Sequence, residues 1–441
     1  MSTKTVPKVN LFPLTTEVNK QGHLCIGDCD VVELAEEFGT PLYIFDEFTL
    51  RHKCCEFKDE FCKYHPDTLV IYASKAFLNK ALALIFKEER LGLDVVSGGE
   101  LSIAHSVDFP LDKVYFHGNN KTPEELKLAL DLGVGKIVVD NFYELELLNR
   151  LARKRGIDQN ILLRLSPGVD PHTHGYTTTG TIESKFGFPL ATGQAEEAVN
   201  RASSASNLNL LGLHFHLGSP VSEIQPYELA IELALGFARE MGKKFDFNIG
   251  EFDIGGGFAV PYTADSRVPT IGEYARAITD KLNSLVSGLG LNRPRLIVEP
   301  GRAIVAQAGV ALYKVGAVKE IPGIKRYVCV DGGISDNIRP ALYGAKYEAL
   351  VANKALESEG NMVTIAGKLC ESGDILVQDV NLAAARPGDI IAIPVCGAYS
   401  IPMASNYNAL PRPAIVMVKE GRARLIRRRE TYQDLMSLDL I

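Results

Sequence analysis

Eight short apolar runs, interleaved with stretches of helical periodicity, occupy the chain from about residue 45 to 305 and restrict its fold more than any other feature. The runs are LVIYASK (69–75), LDVVS (93–97), KVYFHG (113–118), KIVVDN (136–141), ILLRLS (161–166), LLGLHFHLGS (210–219), FDIGGG (252–257) and LIVEPGR (296–302). Each is apolar or β-branched throughout instead of alternating in polarity, the pattern of strands covered on both faces. The intervening segments repeat their apolar residues every 3.6 positions, as in TPEELKLALDLG (122–133) and FYELELLNRLARKRG (142–156). Thr122 with Glu125 reads as a capping box and Pro123 as a first-turn proline, which marks that helix start. Counting a further helix near 47–63, the pattern predicts an α/β chain whose residues 46–305 close into a (β/α)8, TIM-like barrel.

The pattern changes after residue 305. VALYKVGAV, RYVCVDG, MVTIAGKL, IIAIPV and AIVMVKEGRARLIR read as strands separated by Gly, Pro and Asp turns with no long helices between them. Residues 306–441 are therefore expected to form a β-rich C-terminal domain, a barrel or sandwich. HLCIGD and PLYIFD suggest that residues 1–45 join it. A net charge of −7 argues against broad capture of nucleic acid or anionic membrane. Residues 1–20 offer no long apolar run, so neither signal peptide nor membrane anchor is expected. The eight cysteines show no C-x-x-C pair. They read as reduced thiols of a cytoplasmic protein, with Cys25, Cys29, Cys54 and Cys55 as small core residues and no metal site.

Catalytic groups of such a barrel stand at the C-terminal ends of its strands. The residues there are Lys75, Asp94, His117, Arg164, His216, Ser219, Gly255, Gly256, Gly257, Glu299 and Arg302. A lysine ending a buried strand is costly unless it is paired or covalently used. It reads either as an ion pair, with Asp94 the obvious partner, or as an amine that forms an imine with a carbonyl cofactor. Three glycines after the seventh strand let backbone N–H groups wrap an anion, and barrels bind phosphate near strands seven and eight; a tight turn is the plainer reading. Arg302 suits bidentate binding of phosphate or carboxylate, and Ser219 adds a hydroxyl. Glu299 reads as a structural partner of Arg302 or as the carboxylate that keeps a pyridine nitrogen protonated. His216 and His214 share one strand face, so either could stack on a bound ring, and either could be a satisfied core histidine. In the β-rich part, CESGD (370–374) and GAYS (397–400) stand out. Cys370 could donate a proton, Glu371 could meet a substrate ammonium, and Arg339 with Tyr343 would suit a carboxylate.

The motifs YASKA (72–76), LDVVSGGEL (93–101), HGNNK (117–121), GVDPHTHGY (168–176), SKFG (184–187), HFHLGS (214–219), IGGGF (254–258), EPGR (299–302), RPALYG (339–344), CESGD (370–374), GAYS (397–400) and SNYN (405–408) stand in one collinear series. In this the chain resembles the fold-type III decarboxylases that use pyridoxal 5′-phosphate, the ornithine/diaminopimelate/arginine group, over essentially its whole length. RPALY and CESGD resemble the diaminopimelate branch. Departures are Gly175 in place of proline, Leu217 in place of isoleucine, and ALPRPAIV (409–416).

The resemblance implies that Lys75 is the Schiff-base lysine, that His216 stacks on the cofactor ring and that Glu299 partners the pyridinium. It implies Ser219, Gly257 and Tyr399 as phosphate ligands, with Gly255, Gly256 and Asp94 also at the cofactor. Arg302, Arg339, Tyr343, Glu371 and Tyr399 are implied in substrate binding, and Cys370 as proton donor. It further implies a homodimer with shared active sites, Cys370 and Glu371 coming from the second subunit. The expected reaction is decarboxylation of meso-2,6-diaminopimelate to L-lysine and CO2, the last step of lysine biosynthesis. The alternatives are a decarboxylase of ornithine, lysine, arginine or carboxynorspermidine, a racemase of the same fold type, and a catalytically silent cofactor-binding protein.

Overall fold

The computed structural model describes residues 8–170, 179–181 and 183–441; most of the GVDPHTHGY stretch, Gly175 included, lies outside them. The chain divides into two compact units. One comprises Cys54–Ala259 and Val268–Arg302; the other takes in the N-terminal segment through Lys53, Val260–Arg267 and Ala303–Ile441.

The eight apolar runs form eight strands of the first unit: β1 (Thr68–Ala73), β2 (Gly92–Val95), β3 (Val114–Phe116), β4 (Lys136–Val139), β5 (Gln159–Ser166), β6 (Leu208–Phe215), β7 (Glu251–Asp253) and β8 (Arg295–Val298). Every pairing between them is parallel, from Ile71 opposite Gly92 in β1 and β2 to Leu296 opposite Thr68, where β8 returns to β1. The pairing of β4 with β5, Ile137 opposite Ile161, completes the ring. This is the predicted (β/α)8 barrel. Its interior is filled by Ile71, Tyr115, Val138, Leu162 and Ile297, with Leu69 packed against them.

Five of the helices that follow barrel strands open on a side-chain cap. Asn79, Ser97, Thr122, Asn141 and Thr270 each accept a backbone N–H with their side chains at the start of the helix that follows a strand. The Thr122–Glu125 capping box is complete in both directions. The helices they open, Lys80–Glu88, Gly98–His105, Pro123–Leu132, Phe142–Arg155 and Ile271–Leu289, bury an apolar stripe and leave a polar face outward.

The second unit is a β-rich sheet. Its strand order runs Ile375–Leu382, Asn361–Ala366, Lys325–Val330, Gly309–Ile321, Leu42–Asp46, Ala414–Lys419, Arg422–Arg427. The strand Leu42–Asp46, from near the N-terminus, lies inside this order, antiparallel to Gly309–Ile321 and parallel to Ala414–Lys419. One core spans the unit and includes Phe12, Leu24, Leu42, Ile44, Val310, Leu312, Ala392, Val416 and Val418. Among the described residues, no helix is long and apolar enough to cross a membrane, and all eight cysteines are free.

Candidate active site

At the C-terminal rim of the barrel, β1 runs into a single turn, Ser74–Ala76, that carries Lys75. Its Nζ donates to Asp94 Oδ2 at 3.0 Å, so the ion pair weighed in the sequence is present. Asp94 is fully buried at the end of β2, whereas the Lys75 side chain is 36% exposed. A lysine that faces open space from such a turn keeps a reach that a sealed ion pair would not. Next along the rim comes His117, whose Nε2 lies 3.8 Å from Asp94 Oδ1 and 2.9 Å from Glu299 Oε1. The first is too long for a hydrogen bond, and the second does not meet its geometry. His214 stands edge-on to His117, ring centroids 4.8 Å apart, with its Nε2 3.7 Å from Glu299 Oε2.

The two histidines at the end of β6 differ in depth. His214 is buried, and burial pushes its pKa down to about 3. His216 sits one pleat nearer the rim and is partly exposed. Its pKa also falls well below the usual value, through burial first and then the cations Lys75 and Arg164. Its Nδ1 accepts the Gly256 N–H at 3.2 Å, so the imidazole is neutral and its orientation is fixed.

Glu299 and Asp253 form a coupled buried pair. Burial and the neighbouring Glu299 charge push Asp253 well above the carboxylate range. Burial opposes ionisation of Glu299 as well, but His117, the foremost of its neighbours, outweighs it and Glu299 is held well below. These opposed shifts favour the proton on Asp253 and the charge on Glu299.

The three glycines that follow β7 admit no side chain. A Cβ on Gly255 would lie 2.6 Å from Phe215 O, one on Gly256 2.1 Å from Glu299 O, and one on Gly257 2.4 Å from Gly218 O. Gly255 and Gly257 also take φ of +69° and +106°, conformations that favour glycine. Beside them Arg302 donates from Nε and Nη2 to Ser219 Oγ at 3.3 and 3.2 Å, which leaves the serine proton to be donated elsewhere.

The remaining residues expected at a site belong to the β-rich unit. Arg339 and Tyr343 stand one turn apart on the short helix Arg339–Tyr343. Arg339 is buried; its Nη1 donates to Tyr262 Oη at 2.5 Å and Tyr347 Oη at 3.0 Å. Cys370 is exposed, as is Glu371, on a loop whose backbone is pinned at two points. The Cys370 N–H donates to Asn408 Oδ1 at 2.9 Å. The carboxylate of buried Asp374 accepts the N–H groups of Ile334 and Leu369, each at 2.7 Å. Tyr399 holds φ of +59°, a conformation costly for a tyrosine and found where a site demands it.

Residues 48–306 match the family described as "Pyridoxal-dependent decarboxylase, pyridoxal binding domain". The chain is 46% identical to the diaminopimelate decarboxylase of Bacillus subtilis over 97% of each sequence. It is 44% identical to that of Bacillus methanolicus over 95% of this chain and 97% of the relative. Among solved structures, diaminopimelate decarboxylase from M. jannaschii in co-complex with L-lysine superposes with a TM-score of 0.90 at 36% identity, covering 97% of this chain and 98% of the other. The chain belongs to the pyridoxal-dependent decarboxylases.

The cofactor of this pyridoxal-dependent decarboxylase is pyridoxal 5′-phosphate, and the rim suits it on two physical grounds. Glu299 Oε1, Asp94 Oδ1, His117 Nε2 and both ring nitrogens of His214 are buried without a hydrogen-bond partner. Such orphaned groups are costly in a closed core, and a carboxylate among them matches a protonated ring nitrogen. The glycine run supplies the close backbone approach that a phosphate needs.

The structure brings Lys75, Asp94, His216, Ser219, Gly255, Gly256, Gly257, Glu299 and Arg302 to one rim of this decarboxylase, and places Arg339, Tyr343, Cys370, Glu371 and Tyr399 in the other unit. Asp253, Tyr262 and Tyr347 were not singled out by the sequence, and Asp374 and Asn408 stood only as members of CESGD and SNYN. Asp253 was open to detection as an acid ending a strand. The two tyrosines carry no signal, because their importance comes from the arginine between them.

Proposed function

We propose that this chain decarboxylates meso-2,6-diaminopimelate to L-lysine and CO2, and that the residues above divide the work between cofactor and substrate. The observation that carries the substrate assignment is Arg339. It is a buried guanidinium whose Nε has no hydrogen-bond partner and whose neighbours are phenols instead of carboxylates. A cation so placed asks for an anionic ligand, and a substrate whose far end is itself an amino acid provides one.

Pyridoxal 5′-phosphate, when bound, supplies the electron sink that takes up the electron pair left at Cα as CO2 departs. Lys75 would hold the cofactor covalently, and Asp94 would keep its amine at that side of the site. Glu299, ionised with its proton ceded to Asp253, holds a proton on the ring nitrogen. His216, neutral and oriented by Gly256, covers one face of the ring. Ser219, Gly255, Gly256, Gly257 and Tyr399 receive the phosphate. Arg302, Arg339 and Tyr343 take the distal carboxylate and Glu371 the distal ammonium, with Tyr399 also at the substrate, a clamp of both signs that rejects simple diamino acids by leaving arginine unpaired. Cys370 Sγ or the Lys75 amine returns a proton to Cα.

Cys370 and Glu371 project from a firmly held loop yet are exposed in the single chain. This supports a homodimer in which each chain lends these two residues to the other's barrel. Eight free thiols support a cytoplasmic location. The test is CO2 release from meso-diaminopimelate, ornithine, lysine and arginine under identical conditions. Preference for diaminopimelate is expected; comparable turnover of ornithine or lysine would refute the substrate assignment.

A further inference from the structure

The surroundings of Arg339 are more specific than burial of a cation requires. Two hydroxyls accept from the same nitrogen, Nη1. The guanidinium carbon lies 4.7 Å from the Tyr262 ring centroid and 5.8 Å from that of Tyr347. The two rings meet edge to face, 5.3 Å apart at 87°. The fork is thus held by one corner and steadied by two ring faces, while its buried Nε is left without a partner.

A guanidinium that merely completed the core would be expected to bond from every donor. One fixed at Nη1 and unsatisfied at Nε presents an edge with defined direction. A carboxylate binds Arg best through two parallel N–H donors, so its affinity depends on the plane in which the fork is held. The tyrosines come from separate stretches, Tyr262 from the segment Val260–Arg267 that follows β7 and Tyr347 from the chain just past the Arg339–Tyr343 helix. Neither lies in a motif shared with the arginine.

We propose that Tyr262 and Tyr347 are positioning residues that set selectivity for ligands with a distal carboxylate, by fixing the plane of the Arg339 guanidinium. The proposal rests on the reading of Arg339 as that carboxylate's ligand. Decarboxylation at one end of meso-diaminopimelate leaves the other carboxylate in place, so L-lysine carries the group that Arg339 meets. Cadaverine is the same carbon chain without it. The pair therefore isolates the carboxylate contribution to binding.

The experiment measures kcat and KM for meso-diaminopimelate, with inhibition constants for L-lysine and cadaverine, in the full-length holoenzyme and its Tyr262→Phe, Tyr347→Phe and double variants. Loss of a hydroxyl that accepts from a charged donor is expected to raise KM and the L-lysine constant about tenfold or more, with a smaller change in kcat. The cadaverine constant is expected to stay within about twofold, since it does not use the fork. Phe keeps ring size and the edge-to-face contact, and a Tm recorded for each variant reports loss of fold. Equal weakening of L-lysine and cadaverine, or a KM within twofold of the parent in the double variant, would overturn the proposal. Arg339→Ala separates this from the underlying reading. If that variant also leaves the L-lysine to cadaverine ratio intact, the assignment of Arg339 fails; if it collapses the ratio while the Phe variants do not, only the role of the tyrosines fails.

Discussion

Gly256→Ala tests the tightness of the cofactor cradle with one methyl group. Gly256 does not occupy the left-handed region, so backbone conformation tolerates alanine and only space decides the outcome. The new Cβ would stand 2.1 Å from Glu299 O and 3.0 Å from Glu299 C. Reaching an ordinary 3.4 Å contact requires the two backbones to part by about 1.3 Å. Those backbones are not free to part, because Glu299 N–H donates to Gly255 O at 2.9 Å and Gly256 N–H to His216 Nδ1 at 3.2 Å. The methyl therefore displaces Glu299 and His216 together, the residues proposed at the ring nitrogen and the ring face. Overpacking of this kind costs about 1–3 kcal/mol of stability, and a misplacement of about 1 Å at a reacting centre costs about 100-fold in rate. The assay is kcat/KM for CO2 release together with the Kd of pyridoxal 5′-phosphate, read beside Tm. Gly288→Ala is the matched control, since nothing lies within 4 Å of its added Cβ and alanine in a helix adds about 0.5–1 kcal/mol. A Gly256→Ala enzyme with parental cofactor affinity and kcat/KM within twofold would refute the geometry of the cradle.

Other perturbations separate roles that the geometry leaves intertwined. Lys75→Arg keeps a cation beside Asp94 but cannot bond covalently to an aldehyde; CO2 release is expected to fall by about 1000-fold or more, and recovery near the parent rate would reduce Lys75 to an ion-pair residue. Glu299→Gln removes a charged hydrogen-bond partner worth about 1.5–3 kcal/mol, so kcat is expected to fall about 10- to 150-fold, whereas Asp253→Asn, replacing a group that already holds its proton, should change it by less than about threefold. His214 refuses a proton in the folded state down to about pH 3, while the unfolded chain accepts one below about 6.5. Its stabilising contribution is complete above pH 6.5 and is lost as pH falls towards 3. Urea unfolding at pH 7.5 and 5.5 should therefore show the parent losing about 1.4 kcal/mol more than His214→Gln over that interval; identical losses would contradict a neutral, buried His214.

The barrel was legible because its signal is repeated. Eight runs apolar on both faces, interleaved with segments of helical period, leave few other arrangements, and five of the helices open on a polar cap, at Asn79, Ser97, Thr122, Asn141 and Thr270. The strand-end rule likewise brought Lys75, Asp94, Glu299 and Arg302 to one rim, since it depends only on where a run stops. What stayed hidden is set by depth and by contacts between distant segments. His214 and His216 share a face and a residue type, and only the structure separates the one sunk against Glu299 from the one that bonds Gly256 at the rim. Tyr262 follows β7 in sequence yet belongs with the β-rich unit, a placement that no periodicity reports.

The carboxylates of the rim show why burial is useful there instead of merely costly. A lone carboxylate at the depth of Glu299 would take up a proton, and a protonated acid cannot hold a pyridine nitrogen in its charged form. Two carboxylates placed together cannot both ionise, so one is driven up as the other is driven down. His117, its Nε2 2.9 Å from Glu299 Oε1, favours the charge on Glu299, and this asymmetry biases which of the two keeps it. Asp253, with its Oδ1 occupied by the Gly255 N–H, becomes the store for the displaced proton. The same Gly255 N–H ties that store to the glycine run, so the proton balance of the ring-nitrogen end and the shape of the cradle depend on one stretch of backbone. A substitution that moves residues 255–257 is therefore expected to disturb both at once. Glu299→Gln disturbs only the first, and comparing the two variants distinguishes loss of charge from loss of shape.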